Sequence, residues 1–277
     1  MTEIEIIAQE KEERLLDWFR NFRSALVAYS GGVDSTYVLY AANQVFGDRA
    51  LGVSSFSETV PQIQKDYALE NVRIIRARYE IIYTAEMQKE EFLRNNSDRC
   101  CHCKDELYGV LGKMAQNRQY DVVVDGTNAD DLCDFRPGRK AAELHGVRSP
   151  LVEIGMKKDE IRIRSKLANL TTWNIPASAC LSSRIPHQSL ITLEKLSVIE
   201  NGEAFLRSLG FRQMRVRHHD QIVRIELAPE EMKLVWEEDL FEKIVAHFKS
   251  LGFKFVTLDL EGYRTGSMNE TAKAPRS

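Results

Sequence analysis

Three short segments of this 277-residue chain hold groups suited to chemistry. The first is Ser30-Gly31-Gly32-Val33-Asp34-Ser35, between an apolar run at 25–29 and a helical pattern. Two glycines let a chain turn tightly and bring its N–H groups close to an anion. The helix start that follows adds the positive end of a dipole, and Ser30, Ser35 and Thr36 add hydroxyl donors. The loop matches neither a Walker A loop, since no lysine follows the glycines at that spacing, nor the GxGxxG dinucleotide turn. The second segment runs from Asp125-Gly126-Thr127-Asn128 through Asp130, Asp131 and Asp134 to Arg136-Pro137-Gly138. It follows a strand pattern, where open α/β sheets bind their ligands. Its three carboxylates could hold Mg²⁺ through oxygen and water, and Asp130 is the first candidate because it lies nearest the strand end. The third is Arg99-Cys100-Cys101-His102-Cys103-Lys104. Cys100 and Cys103 have the spacing that brings two thiolates to one metal, and the flanking cations favour the thiolate.

Two further groups lie later in the chain. Cys180 sits in the small- and hydroxyl-rich stretch 176–186, with Ser183 and Arg184 close behind. Arg184 could stabilise a thiolate or a phosphate. Arg215 and Arg217 alternate on one side of a strand pattern, either as an anion site or as an exposed basic face. A structural zinc site would need four ligands, so Cys133 or Cys180 and His102 would have to join the pair. The alternative is a set of buried reduced thiols.

These groups need elements to position them. A helix over 4–22, strands at 25–29, 50–56, 72–77 and 121–125, and helices at 36–45, 61–70, 97–117 and 157–170 alternate along the chain. The strand runs are apolar, which predicts an α/β fold: a parallel sheet with helices on both faces. After about residue 190 the character changes. A helix at 193–209, a hairpin of 213–218 with 221–227, a helix at 230–251 and a strand at 253–258 predict a small α+β domain. The expected division is 1–186 and 187–277.

The composition is ordinary for a globular protein, 43% apolar and 29% charged, which excludes wholesale disorder. No run approaches the ~20 apolar residues that span a bilayer, so no membrane partner is expected. The acidic start lacks a signal peptide's basic and apolar regions, and a cytoplasmic location is expected. In that setting an odd five cysteines, three of them within four positions, point to metal or redox chemistry before disulfides. A net charge of −3 argues against a role in gripping nucleic acid.

The hexapeptide at 30–35 resembles the SGGxDS loop of the ATP pyrophosphatase (PP-loop) superfamily. The resemblance narrows when the remaining segments are added: 125–138, Cys180-Leu181-Ser182-Ser183-Arg184, Arg215-Val216-Arg217, Arg224-Ile225-Glu226-Leu227, Leu258 to Arg264, and Met268-Asn269. Together they are similar to the LarE family, ATP-dependent sulfur transferases of nickel-pincer nucleotide biosynthesis. The resemblance implies that Ser30, Gly31, Gly32 and Ser35 hold pyrophosphate, and that Asp34, Gly126 and Asp130 complete an ATP and Mg²⁺ site. It implies a pyridinium-3,5-biscarboxylic acid mononucleotide as substrate, its phosphate bound by Arg215 and Arg217. Cys180 would be the sulfur-handling cysteine, with Ser183 and Arg184 beside it. Sulfur would come from Cys180 itself, or from sulfide on a [4Fe-4S] cluster held by Cys100, Cys103 and Cys180. The full cysteine set favours the cluster, with Cys101 an alternative to Cys100 and Cys133 incidental. Glu203 and Glu226 match carboxylates that bind a metal in some members, and a homo-oligomer is expected by analogy. The competing functions are a tRNA thiolase, a PP-loop amide synthetase and a zinc-stapled nucleotide-binding module without catalysis.

Overall fold

The structure, a computed structural model, describes residues 2–133, 138–176, 179–237, 239–264 and 266–268; the side chains of residues 133, 138 and 139 are also outside the description. The chain opens with α1 (Glu3–Arg20), β1 (Ala25–Ala28), α2 (Val33–Phe46), β2 (Ala50–Ser55), α3 (Gln62–Ile75) and β3 (Arg78–Ile82). It continues with α4 (Glu90–Leu93), α5 (Arg99–Arg118), β4 (Val122–Val124), α6 (Gly138–Leu144), α7 (Pro150–Glu153) and α8 (Lys158–Leu167). The last elements are α9 (Leu193–Ser208), β5 (Met214–His219), β6 (Ile222–Leu227), α10 (Leu240–Ser250) and β7 (Phe255–Leu258). Two compact units result: Met1–Glu86 with Cys100–Ser178, and Met87–Arg99 with Ala179–Ser277. This division places residues 87–99 with the C-terminal residues, where the expected cut at 186/187 is linear.

The first unit is the expected parallel α/β sheet, in the order β3-β2-β1-β4. Side chains alternate across a strand, and both faces of β1 are used. Ala25 and Val27 enter a core with Leu15, Phe19, Tyr37 and Ile161, from α1, α2 and α8. Leu26 enters a second core with Tyr108, Leu111, Ala115 and Ala141, from α5 and α6. Helices therefore cover both faces, as the continuous apolar strand runs require.

One expected strand is corrected. Residues 72–77 are the last turns and cap of α3, and the third strand is Arg78–Ile82. Ala68, Asn71 and Ile75 are buried at helical spacing while Ile74 is exposed, so the apolar run read as a strand is the end of a helix. Arg76, left-handed at φ 57°, ends the helix.

The second unit is the small α+β domain, with β5-β6 antiparallel and β6-β7 parallel. The single helix expected over 230–251 is two pieces, a 3-10 turn at Met232–Trp236 and α10. Glu237 turns extended between them, and the Glu231 carboxylate accepts the N–H groups of Arg212 and Gln213 just ahead of β5. Gly202 of α9 lies against α10: a Cβ there would stand 2.5 Å from Phe248 Cε1 and 3.4 Å from Val216 Cγ1. Gly202→Ala gains about 1 kcal/mol of helix propensity but overpacks the core by about 1–3 kcal/mol. A net loss of stability is expected, measured as a lower denaturant midpoint. Among the described residues, no helix is long and apolar enough to cross a membrane.

Candidate functional site

In the first unit the glycine loop joins β1 to α2. Gly31 has φ +75°, and a Cβ there would stand 2.8 Å from both Ala68 Cβ and Gln64 O; only glycine fits on either count. The loop is braced from inside. Ser35 Oγ accepts from the Ser30 N–H at 3.1 Å and shares a hydrogen bond with Ser30 Oγ at 2.9 Å. Gln64 Nε2 donates to Ser30 O at 2.7 Å. The first-turn N–H groups of α2 have no intrahelical acceptors, so this end of the helix suits an anion.

The loop after β4 lies against that same helix start. A Cβ on Gly126 would stand 2.6 Å from Ser35 N and 2.8 Å from Ser35 Cα. The glycine is what lets the two loops touch. Asp125 anchors the second loop: its carboxylate accepts from Tyr108 Oη at 2.8 Å, Ser149 Oγ at 2.7 Å, and Thr127 N and Oγ1 at 3.1 and 2.8 Å. Asp130 Oδ2 accepts the backbone N–H of Lys158 at 2.8 Å, and Asp131 Oδ2 that of Asn128 at 3.1 Å. Asp134, Arg136 and Pro137 lie outside the described residues.

Sequence reasoning missed Lys158. Its Nζ donates to Asp34 Oδ2 at 2.6 Å, so a lysine from α8 reaches the glycine loop after all. Burial pushes the Asp34 carboxyl up from its ordinary range, and Lys158 pulls it back only in part. Asp34 Oδ1 is buried with no hydrogen-bond partner among the described residues, an arrangement that a cation would relieve. Its one hint, a cation at a helix start, shows only once the helix boundary is known. Lys158 is the first residue of its helix, where the dipole favours acidic side chains and disfavours a cation.

The cysteine helix separates its thiols by face. Cys101 is half-buried and packs against the second core. Cys100 is exposed and Cys103 half-buried, and residues three apart on a helix are neighbours. Among the described residues, no disulfide joins Cys100, Cys101, Cys103 and Cys180 to one another. The pair therefore fits thiolate ligation in chemistry and spacing. Among the described residues, however, no three His, Cys, Asp or Glu side chains are gathered as a metal site, and Cys180 belongs to the second unit.

In the second unit Cys180 precedes a 3-10 turn, Leu181–Arg184. Arg184 is 2% exposed and fully engaged. Its Nε and Nη2 fork onto Glu203 at 2.8 and 3.1 Å. Its Nη1 donates to Ala179 O, Cys180 O and Ser183 Oγ at 2.7, 3.1 and 3.0 Å. Arg217 donates to Glu226 Oε2 at 2.7 Å, Ser267 Oγ at 2.9 Å and Ser183 O at 3.1 Å. Glu226 is fully buried and also receives Arg224 and Ser267 at 3.1 and 2.9 Å. Arg215 lies over the Tyr263 ring at 4.9 Å and donates to Met214 O at 2.6 Å. Burial, with Arg184 adding to it, pushes the Arg215 guanidinium down to about 10. The structure brings Arg184, Arg217, Glu203 and Glu226 into buried ion pairs, and adds Ser267, which sequence reasoning missed.

Glu203 and Glu226, expected by resemblance as metal ligands, thus each meet a guanidinium. Burial pushes the Glu203 carboxyl up, but Arg184 outweighs it and holds the group below the usual carboxylate range. That stabilisation is complete above the unfolded value near 4.3 and is lost as the pH falls through the lower folded value. Glu203→Gln leaves Arg184 buried and unpaired, a loss of about 3–5 kcal/mol. The gap between the two proteins in denaturant unfolding is expected to narrow as the pH falls below about 4.3 and to close once it is below the lowered folded value.

A parallel α/β unit whose glycine loop closes on a helix start, in one chain with a small α+β unit, is consistent with a PP-loop domain followed by a small domain. No protein-family model matches the chain. Three curated proteins match it along nearly their whole length. An uncharacterized protein of Synechocystis sp. is 40% identical over 261 residues, 94% of this chain and 97% of that one. The pyridinium-3,5-bisthiocarboxylic acid mononucleotide synthase of Lactiplantibacillus plantarum is 35% identical over 265 residues, 94% of each chain. An uncharacterized protein of Methanocaldococcus jannaschii is 32% identical over 255 residues, 92% and 96% respectively. The chain belongs to the family of the Lactiplantibacillus synthase, the LarE family.

Proposed function

We propose that this chain is an ATP-dependent sulfur transferase that converts the carboxylates of pyridinium-3,5-biscarboxylic acid mononucleotide to thiocarboxylates. The observation that carries the reading is the 35% identity, over 94% of both chains, to the synthase named for the bisthiocarboxylic product. A carboxylate is a poor electrophile, so the reaction needs a leaving group. A substrate carboxylate oxygen attacks the α-phosphorus of ATP, the α–β anhydride bond breaks and pyrophosphate leaves. A sulfur nucleophile then adds to the acyl carbon, and AMP departs with the carboxylate's oxygen. A second round converts the other carboxylate.

The geometry supports the following roles. The glycine loop and the start of α2 take the pyrophosphate, through Ser30, Gly31, Gly32 and Ser35. Gly126 keeps the β4 loop against them. Asp34, with its bare Oδ1, and Asp130 hold Mg²⁺, which when bound neutralises charge on the departing pyrophosphate. Lys158 pairs with Asp34 before the nucleotide arrives, and it is close enough to the loop to add a cation to the phosphates. In the second unit Arg215 and Arg217 take the substrate's phosphate. A guanidinium held below its ordinary range by burial and a neighbouring cation gains from an incoming dianion. Ser183 and Arg184 hold the turn of Cys180, which handles the sulfur.

Cys100, Cys103 and Cys180 are the thiols for a [4Fe-4S] cluster, which when bound would supply the sulfur nucleophile from external sulfide. The second reading is sacrifice of Cys180's own sulfur, which needs that one thiol alone. A homo-oligomer without nucleic acid is the working assembly. Isotope exchange between pyrophosphate and ATP tests the adenylation step. Exchange that depends on the pyridinium biscarboxylate supports the reading, and exchange that ignores it contradicts it.

A further inference from the structure

The turn that carries Cys180 is gripped by its carbonyl oxygens. Arg184 takes those of Ala179 and Cys180, and Arg217 takes that of Ser183. The carbonyl of Ser182 goes to Arg99, whose Nη1 donates to it at 3.0 Å. Arg184, Arg217 and Arg99 are 2, 5 and 6% exposed. Three buried guanidiniums thus converge on the carbonyls of four residues, Ala179, Cys180, Ser182 and Ser183. Arg184 and Arg217 are also named by the proposed mechanism; Arg99 is not.

Arg99 is itself braced. Its Nη1 donates to Asn95 Oδ1. Asn95, fully buried and left-handed at φ 55°, donates from Nδ2 to Ile185 O at 3.1 Å and Pro186 O at 2.8 Å. Its own carbonyl accepts the Gln188 N–H at 3.1 Å. These bonds explain why residues 87–99 belong to the second unit. They also tie the turn to a residue peptide-bonded to Cys100.

We propose that Arg99, braced by Asn95, is a positioning residue for Cys180: it fixes the Ser182 carbonyl and so presents the Cys180 thiol in one orientation. The inference deepens the reading in which Cys180 handles sulfur, and it rests on that reading for its functional meaning. The geometry it invokes is measurable without turnover. The test is alkylation of the reduced full chain by iodoacetamide, followed peptide by peptide by mass spectrometry, for wild type, Arg99→Met and Arg99→Lys. Loss of a charged hydrogen bond to a buried carbonyl should speed modification of Cys180 about tenfold in Arg99→Met. Arg99→Lys keeps the charge and one donor and should give a smaller increase. Cys101, half-buried against a core of the first unit, is the internal reference and should not change. A Cys180 rate within about twofold of wild type in both variants, or equal acceleration at Cys101, would overturn the proposal. Failure of the functional reading looks different: Cys180→Ser would then still form thiocarboxylate, whatever the alkylation rates.

Discussion

Cys180→Ser is expected to lower thiocarboxylate formation by about a thousandfold or more, while pyrophosphate–ATP exchange driven by the pyridinium biscarboxylate continues. The substitution is nearly isosteric. The bonds that hold the turn run to backbone carbonyls, from Arg184, Arg99 and Arg217, so the turn keeps its shape. What is lost is sulfur chemistry: serine is neither a soft ligand for iron nor a sulfur donor. Both versions of the sulfur source fail in this variant, so the result tests what they share. Mass spectrometry of the wild-type chain after turnover separates them, since sacrifice converts Cys180 to dehydroalanine with loss of H₂S. Undiminished thiocarboxylate formation by Cys180→Ser would remove Cys180 from the mechanism.

Lys158→Ala is expected to slow adenylation by about a hundredfold to a thousandfold, the usual scale for one preorganised charge at a developing anion. It also has a signature that a merely structural lysine would lack. Lys158 opposes the upward push of burial on Asp34. Without it the Asp34 carboxyl moves further up, so the acidic limb of the pyrophosphate-release profile should shift to higher pH. Lys158→Arg keeps the charge and should restore part of the rate. A rate within twofold of wild type with an unmoved acidic limb would contradict the role given to this lysine.

Much of the fold was legible because its signals are local. The apolar strand runs, the glycine loop and the hairpin around Asp220 each carry their pattern within one short segment. The errors came where a local pattern has two readings. Residues 72–77 are apolar enough for a strand, and only the buried positions at 68, 71 and 75 show the helix period. The strand that follows is at the sheet edge and half-exposed, so Arg78–Ile82 lacked a core strand's run. Lys158 and Arg99 were illegible for another reason. Each acts on a residue at least 80 positions away, Lys158 on Asp34 and Arg99 on Ser182, and spacing within a segment carries no information about such pairs. The pull of residues 87–99 into the second unit has the same origin. By contrast, Cys101 was separable from Cys100 only once the helix faces were known.

The central claim is ATP-driven replacement of a carboxylate oxygen by sulfur. Its most direct test is one anaerobic reaction containing the full chain, the pyridinium biscarboxylic acid mononucleotide, ATP, Mg²⁺ and sulfide, with products resolved by mass. The account predicts mono- and then bis-thiocarboxylate, with one AMP and one pyrophosphate released per sulfur inserted. Pyrophosphate release without any sulfur-containing product, or a sulfur product formed without ATP, would contradict it.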